Sequence, residues 1–265
     1  MGDIKLSVII PCYNAEKTLE DTLRSLEDSS EIIYEVICVN DGSKDNTLNV
    51  LKKYSNESLL NIKIIDSDNF GVSVARNKGI DASSGDVLLF LDADDKYSPL
   101  FFCEIIKRCE EYDTVYGYSV RDESKLVSSD SEIIPCKKSL EEIQLEFMVN
   151  KDRCHTAAFS YKKQILDKYC LRFEPGVKYG EDWEFTTKYL GLCKRGICLN
   201  ASIFFYRDSE NSAINSPRYE HTHVMKAAER TEKFLLDIKS DFYEEFFEDA
   251  ETVSSALELT MTKRQ

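Results

Sequence analysis

Several familiar signatures are missing from this chain, and each absence removes a class of protein. No GxGxxG follows the first apolar run and no GxxxxGK[ST] occurs anywhere. Neither the usual dinucleotide-binding turn nor a P-loop is therefore present, and any nucleotide would be held by side chains and a metal. No apolar run approaches the roughly 18 residues that a membrane-spanning helix needs. No block of Lys and Arg stands out, and 48 acidic residues outnumber 34 basic ones for a net charge of -14. Nucleic acid is thereby excluded as a main partner, because neutralising phosphates takes clustered cations. The nine cysteines include no CxxC, and Cys12, Cys38 and Cys198 lie inside apolar runs. They read as free thiols, small buried hydrophobes in a reducing compartment. The N-terminus carries no signal-peptide pattern, which predicts a cytoplasmic protein.

What remains is a chain of 265 residues, 42% hydrophobic. That is enough for one large α/β domain, with or without a C-terminal extension. Its most informative stretch is Gly85 to Asp95, GDVLLFLDADD. Val87 to Leu91 have no polar face, as expected of a central strand buried on both sides in a parallel sheet. The run stops at Asp92, Asp94 and Asp95, on the sheet rim where ligands of open α/β folds bind. Residues two apart in extended chain face the same way, so Asp92 and Asp94 can share one site. Paired hard oxygens of this kind suit Mg²⁺ or Mn²⁺ together with substrate phosphates. A helix capped by Ser98, with Pro99 in its first turn, accounts for the residues that follow but not for the three acids.

Upstream, Leu6 to Ile10 reads as a strand ended by Pro11, then a helix carries Leu19, Leu23 and Leu26. Glu35 to Asn40 and Asn61 to Ile65 read as further strands, each followed by a polar turn and a helix; Asp41 stands at the end of the former. The βαβαβαβ order implies a mostly parallel sheet with right-handed crossovers. Downstream the order is mixed. Thr114 to Val120, Lys125 to Ser128, Ala157 to Tyr161 and Ile197 to Tyr206 read as strands. Ser139 to Val149, with Ser139 and Glu142 as a capping box, Lys162 to Tyr169 and Tyr179 to Leu192 read as helices. From about Tyr219 the chain reads as helical.

Four segments, LSVIIPCYNAEKTL, EVICVNDGSKDNT, GVSVARNKGIDASSGDVLLFLDADD and GEDWEF, occur together in an order and spacing that resemble the family 2 glycosyltransferases. These are inverting, nucleotide-sugar-dependent enzymes with a GT-A fold. The resemblance implies a GT-A domain over residues 1–215, with a nucleotide-binding half (1–98) and an acceptor-binding half (99–215), and a helical extension over 216–265. It also implies roles for individual residues. Pro11, Tyr13 and Glu16 match the nucleoside-contacting turn, Asp41 the acceptor for the uracil N–H, and Arg76 and Arg207 basic residues of the nucleotide and pyrophosphate site. Asp92 and Asp94 match the ends of the DxD motif, toward ribose and Mn²⁺ or Mg²⁺. Asp182 matches the base that activates the acceptor, with Glu181 and Trp183 beside it at the acceptor site.

The expected partners are a UDP-sugar donor and a glycan or lipid-linked saccharide acceptor of surface polysaccharide synthesis at the inner face of the cell membrane. Peripheral membrane attachment and a homodimer through the C-terminal helices stay open. Bland readings also stand beside these roles. Asp182 could be a helix N-terminal acid favoured by the dipole, Arg76 could pair with any acid, and Trp183 could be core. His155 reads as structural. One of His221 and His223, two apart and so unable to share a helical face, could be a further metal ligand. A non-catalytic nucleotide- or glycan-binding module is the competing class, against which the intact Asp41, Asp92, Asp94 and Asp182 argue. A nucleotidyltransferase would instead need a Gly-rich loop after the first strand.

Overall fold

The computed structural model describes residues 4–149, 155–208 and 221–238. Strands β1 (Leu6–Cys12), β2 (Ile33–Asp41), β3 (Ile62–Ser67) and β4 (Val87–Phe90) alternate with helices α1 (Leu19–Glu27), α2 (Thr47–Glu57) and α3 (Val72–Ala82). The four strands pair in parallel in the order β3-β2-β1-β4. Each ladder therefore ends on the same edge, and the polar turns after β1, β2 and β4 converge there. All four residues of β4 are buried, as an uninterrupted apolar run between helix layers requires.

Pro11 does not end β1. It pairs with Val39 of β2, and the strand runs on to Cys12. β4 stops pairing at Ile9, so beyond that point β1 has a neighbour on one side only, where a missing N–H is tolerated. Helix α3 lies directly against β1: a Cβ on Gly79 would come within 2.3 Å of the Ile9 side chain. Glycine is thus what lets α3 approach closely enough to send Arg76 to the sheet edge.

After β5 (Lys96–Tyr97) comes α4 (Pro99–Arg108), capped as expected by Ser98, whose hydroxyl accepts from the Leu100 N–H. β6 (Thr114–Val120), α5 (Leu140–Val149), β7 (Tyr161–Lys162), α6 (Lys163–Lys168), α7 (Glu181–Leu192), β8 (Gly196–Phe205) and α8 (His221–Asp237) follow. The Ser139–Glu142 capping box forms in both directions at 2.7 and 3.2 Å. β7 adds antiparallel to β4, while β5, β8 and β6 make a second, three-stranded sheet.

Two expected strands differ. Lys125 to Ser128 forms none; residues Glu123–Lys125 are a 3₁₀ turn and only the Val127 N–H reaches β8, at Ser202. Thr156–Ala158 is likewise a 3₁₀ turn, leaving two residues of strand. In both places hydrogen bonds to a distant strand decide the conformation, which local apolar pattern does not report.

One core lies between the sheet and α1, α2 and α4; a second unites Phe90 with Phe173, Phe185 and Trp183. Phe173 and Phe185 stack at 3.8 Å and both meet the Phe90 ring edge-on. This cluster fixes α7 against β4. α8 packs on α7 through a bidentate ion pair from Arg230 to the buried Glu184, and a Cβ on Gly180 would lie 3.7 Å from Val224 and Ala227. The eight described cysteines are free. Among the described residues no helix is long and apolar enough to cross a membrane.

Candidate active site

A cleft of about 1070 Å³ opens at the carboxyl edge of β1, β2 and β4. Its walls include Pro11, Tyr13, Glu16, Asp41, Arg76, Asp92, Asp94, Glu181, Asp182 and Trp183, drawn from five separate segments. The turn after β1 is stitched to the turn after β2: Glu16 accepts from the Asn46 N–H at 3.0 Å, and Asp45 accepts from the Glu16 N–H at 3.1 Å. Tyr13 stays half exposed above it.

Asp41 is buried, and its two oxygens accept from the Phe70 and Gly71 N–H groups, each at 2.8 Å. It thereby sets the entry to α3, where Gly71 has φ +94. Each oxygen keeps a second lone pair for a ligand.

Arg76 does more than line the nucleotide side. Its buried guanidinium donates to Asp92 at 2.9 Å and lies 3.4 Å from Glu181, with the Phe173 ring beneath it. One cation therefore ties the acids at the end of β4 to the first turn of α7. Burial alone would push Asp92 up, but Arg76 outweighs it and holds that carboxyl below its ordinary range. Its neighbours go the other way. Burial and then the Asp92 charge raise Asp94, and the same two causes raise Asp95 to about 9. Burial and the adjacent Asp182 push Glu181 up to about 7.

Arg207 lies beside the motif but not on the cleft wall. Its Nε donates to the Asp94 carbonyl at 2.8 Å, its Nη2 to Asp21 at 2.6 Å, and its backbone N–H to Asp95 at 2.8 Å. Asp95, which is buried, is thus the anchor for the chain leaving β8. Its other oxygen has no hydrogen-bond partner among the described residues. Sequence reading saw the third acid but not this use, because the partner is 112 residues away.

Asp182 stands on the cleft wall in the first turn of α7, after Gly180 at φ +83. The Thr156 hydroxyl donates to its carbonyl at 3.1 Å, and Thr186 and Tyr161 complete a buried hydroxyl cluster behind it. Trp183 is buried at the cleft wall and packs in the second core. His155, expected to be structural, lines the cleft. Burial lowers its pKa, against the pull of Asp182 and Asp92. His223 lies beyond the cleft wall, its Nδ1 accepting from the Lys178 N–H at 3.2 Å; the side chain of His221 falls outside the described residues.

Among the described residues no three metal-ligating side chains cluster. Asp92 and Asp94 nevertheless fit a divalent cation. The Asp92 charge adds to burial in raising Asp94, a repulsion that a cation held between the two carboxylates would relieve. Mg²⁺-type ions are commonly held by one or two carboxylates plus substrate phosphates.

The raised Asp95 makes a prediction for the metal-free protein. Its proton is retained in the folded state up to about pH 9, whereas the unfolded chain releases it near 3.8. Folding stability from this group is complete below the lower value and is lost as pH rises through the upper one, at no more than roughly 1.4 kcal/mol per pH unit. Denaturant titrations in EDTA at pH 5, 7 and 9 should show this decline, and Asp95→Asn should flatten it. Equal slopes for the two proteins would show that Asp95 ionises normally.

A mostly parallel sheet whose carboxyl edge opens into a cleft faced by a helix bearing an acid pair is the arrangement of a GT-A fold. Among solved structures, Staphylococcus aureus TarS 1-349 in complex with UDP-GlcNAc superposes with a TM-score of 0.74 over 90% of this chain and 68% of that one, at 22% identity. The family model Glycosyl transferase family 2 matches residues 7–170, and the chain belongs to that family.

Among curated relatives, the glycosyltransferase GlyA of Streptococcus pneumoniae is 31% identical over 242 residues, 86% of this chain and 34% of that protein. The uncharacterized glycosyltransferase EpsJ of Bacillus subtilis is 25% identical over 222 residues, 80% of this chain and 63% of that protein. The chain thus spans only part of either relative's length. A model of MutS domain I also matches residues 218–265; a span this short does not make the chain a member of that family.

Proposed function

We propose that the chain is a metal-assisted, inverting glycosyltransferase that moves a hexosyl or N-acetylhexosaminyl unit from a UDP-sugar to a hydroxyl of a glycan or lipid-linked saccharide in surface polysaccharide synthesis. The observation that carries this is the Arg76 bridge, which puts Asp92 and the Glu181–Asp182 pair in one cleft. The UDP-GlcNAc and UDP complexes of TarS support a uridine donor.

In this reading Pro11, Tyr13 and Asp41 hold the uridine, with Asp41 accepting from the ring N–H. Asp92 and Asp94 hold Mn²⁺ or Mg²⁺, which when bound supplies charge neutralisation for the departing diphosphate. Asp182 takes the proton from the acceptor hydroxyl. The acceptor oxygen then forms its bond to the anomeric carbon as the bond from that carbon to the diphosphate oxygen breaks, releasing UDP with inversion. Arg76 keeps Asp92 ionised and holds the first turn of α7 in place, so donor and acceptor groups stay aligned. Trp183 and Glu181 flank the acceptor.

Calorimetric titration of UDP with and without Mn²⁺, on the native chain and on Asp94→Asn, tests the donor site. Binding that strengthens at least tenfold with Mn²⁺, and loses that gain in the variant, is expected. Metal-independent binding of equal strength in both proteins would remove Asp94 as a ligand. An absence of UDP binding in the native chain would remove the uridine assignment.

A further inference from the structure

The turn that carries Glu181 and Asp182 begins without a side-chain cap. Gly180 precedes α7 in the left-handed region at φ +83 and has no side chain to offer the free N–H groups of the helix start. Such a start takes its shape from contacts made by other parts of the chain. Three elements supply them here. Arg76 of α3 reaches Glu181, the Thr156 hydroxyl donates to the Asp182 carbonyl, and Arg230 of α8 closes on Glu184.

The share taken by α8 lies on both sides of Gly180. Ahead of it, the Lys178 N–H donates to His223 Nδ1 at 3.2 Å, and the Tyr179 ring meets the His223 ring edge-on at 6.3 Å. After it, Arg230 donates from Nε and Nη2 to the two oxygens of Glu184 at 2.9 and 2.5 Å. The Glu184 side chain is only 3% exposed and also accepts from Lys188 at 2.6 Å. Lys188 belongs to α7 itself, so Arg230 is what ties this buried carboxylate to a second element. Leu235, further along α8, is buried in the second core and fixes that helix in turn. Asp182 stands two residues before Glu184 in the same helical turn, and the two move together.

We propose that α8 positions the base, with Arg230 as the positioning residue: its fork on Glu184 holds the first turn of α7, and with it the Asp182 carboxylate, at the distance from the donor that transfer needs. This rests on the transferase reading above. A bidentate guanidinium fixes orientation as well as distance, which a lysine ammonium does not. Displacing a reacting group by about 1 Å can cost roughly 100-fold in rate. Uridine binding, made at the ends of β1 and β2, does not pass through α8.

Trp183, the only tryptophan of the chain, lies between Asp182 and Glu184 and reports on this turn. The test compares the native chain with Arg230→Met, Arg230→Lys and a control, Lys162→Met. Lys162 pairs with Asp113 at 3.1 Å, with side chains 23% and 21% exposed, beside Val87 at the opposite end of β4 from the cleft. Each protein is melted, titrated with UDP and Mn²⁺ by calorimetry, and probed by acrylamide quenching of Trp183. UDP release from UDP-GlcNAc, UDP-glucose and UDP-galactose is then followed with water as the acceptor, its oxygen bonding to the anomeric carbon as the diphosphate leaves and its proton passing to Asp182. Arg230→Met should bind UDP within twofold of native, at least double the quenching constant, and lower kcat at least tenfold with KM within threefold. Arg230→Lys should fall between, and Lys162→Met should lower the melting temperature without either change.

A kcat or a quenching constant in Arg230→Met that matches Lys162→Met would overturn the proposal and leave α8 a packing helix. If Arg230→Met does not fold, Arg230→Lys decides, and a native kcat there counts against the role. If the native chain binds UDP but turns over none of the three donors, the quenching comparison decides, an unchanged constant overturning the proposal. A native chain that neither binds UDP nor releases it overturns the parent reading, and this one with it. Native release that both Arg230 variants leave unchanged overturns only the role of Arg230.

Discussion

Asp182→Asn is expected to bind UDP as the native chain does and to transfer sugar slower by roughly 10²–10⁴-fold, the usual cost of removing a positioned general base. The separation of binding from rate follows from the structure. Asp182 lies in the first turn of α7, in a different segment from the Asp92–Asp94 motif, and its backbone carbonyl, not its side chain, holds Thr156. The side chain's internal contact is Oδ1 accepting from the Trp183 N–H at 2.7 Å, which an asparagine Oδ1 can reproduce. The fold should therefore survive, and the loss should appear in kcat. Transfer within tenfold of native would place the base elsewhere, with Glu181 as the first alternative to examine.

Arg76→Met has the largest expected effect on stability. The guanidinium is nearly excluded from solvent and neutralises Asp92 and Glu181 together, whose side chains are 33% and 12% exposed. Removing one partner of a buried ion pair typically costs about 3–5 kcal/mol, because the remaining charge is left uncompensated. The partial exposure of Asp92 lets water screen its share, which favours the lower end.

The loss should depend on pH with a definite sign. Without Arg76 both carboxyls hold their protons more tightly in the folded state, so the variant should be least impaired near pH 5 and increasingly unstable toward pH 8. Chemical denaturation across that range checks this. A penalty below about 0.5 kcal/mol at neutral pH, typical of a surface substitution, would show that the bridge does not hold the two walls together. Arg76→Met combined with Glu181→Gln should regain part of the loss, since the uncharged amide removes one of the stranded acids.

Much of the architecture was legible in local pattern. The run Val87 to Leu91, Leu19, Leu23 and Leu26 at helical spacing, and the caps at Ser98 and Ser139 are decided within a few residues. Each of them lies where spacing and cap chemistry put it. The two strands read wrongly, at Lys125 to Ser128 and Ala157 to Tyr161, are places where the chain bonds to β8 or turns under α7 instead of following its own alternation.

The candidate site divides along the same line. Residue type and position at the ends of β2 and β4 single out Asp41, Asp92 and Asp94, because parallel strands must end on one edge and ligands gather there; Pro11 entered only through the family resemblance. What each side chain does was decided only by tertiary structure. Arg76 finds Glu181 across 105 residues, Asp95 finds the Arg207 amide across 112, and His155 meets the rings of Phe204 and Tyr206 far along the chain. Hydrophobic period and capping are local properties that a sequence carries openly. Charge pairing and burial depend on distances through space, and those exist only once the chain has folded.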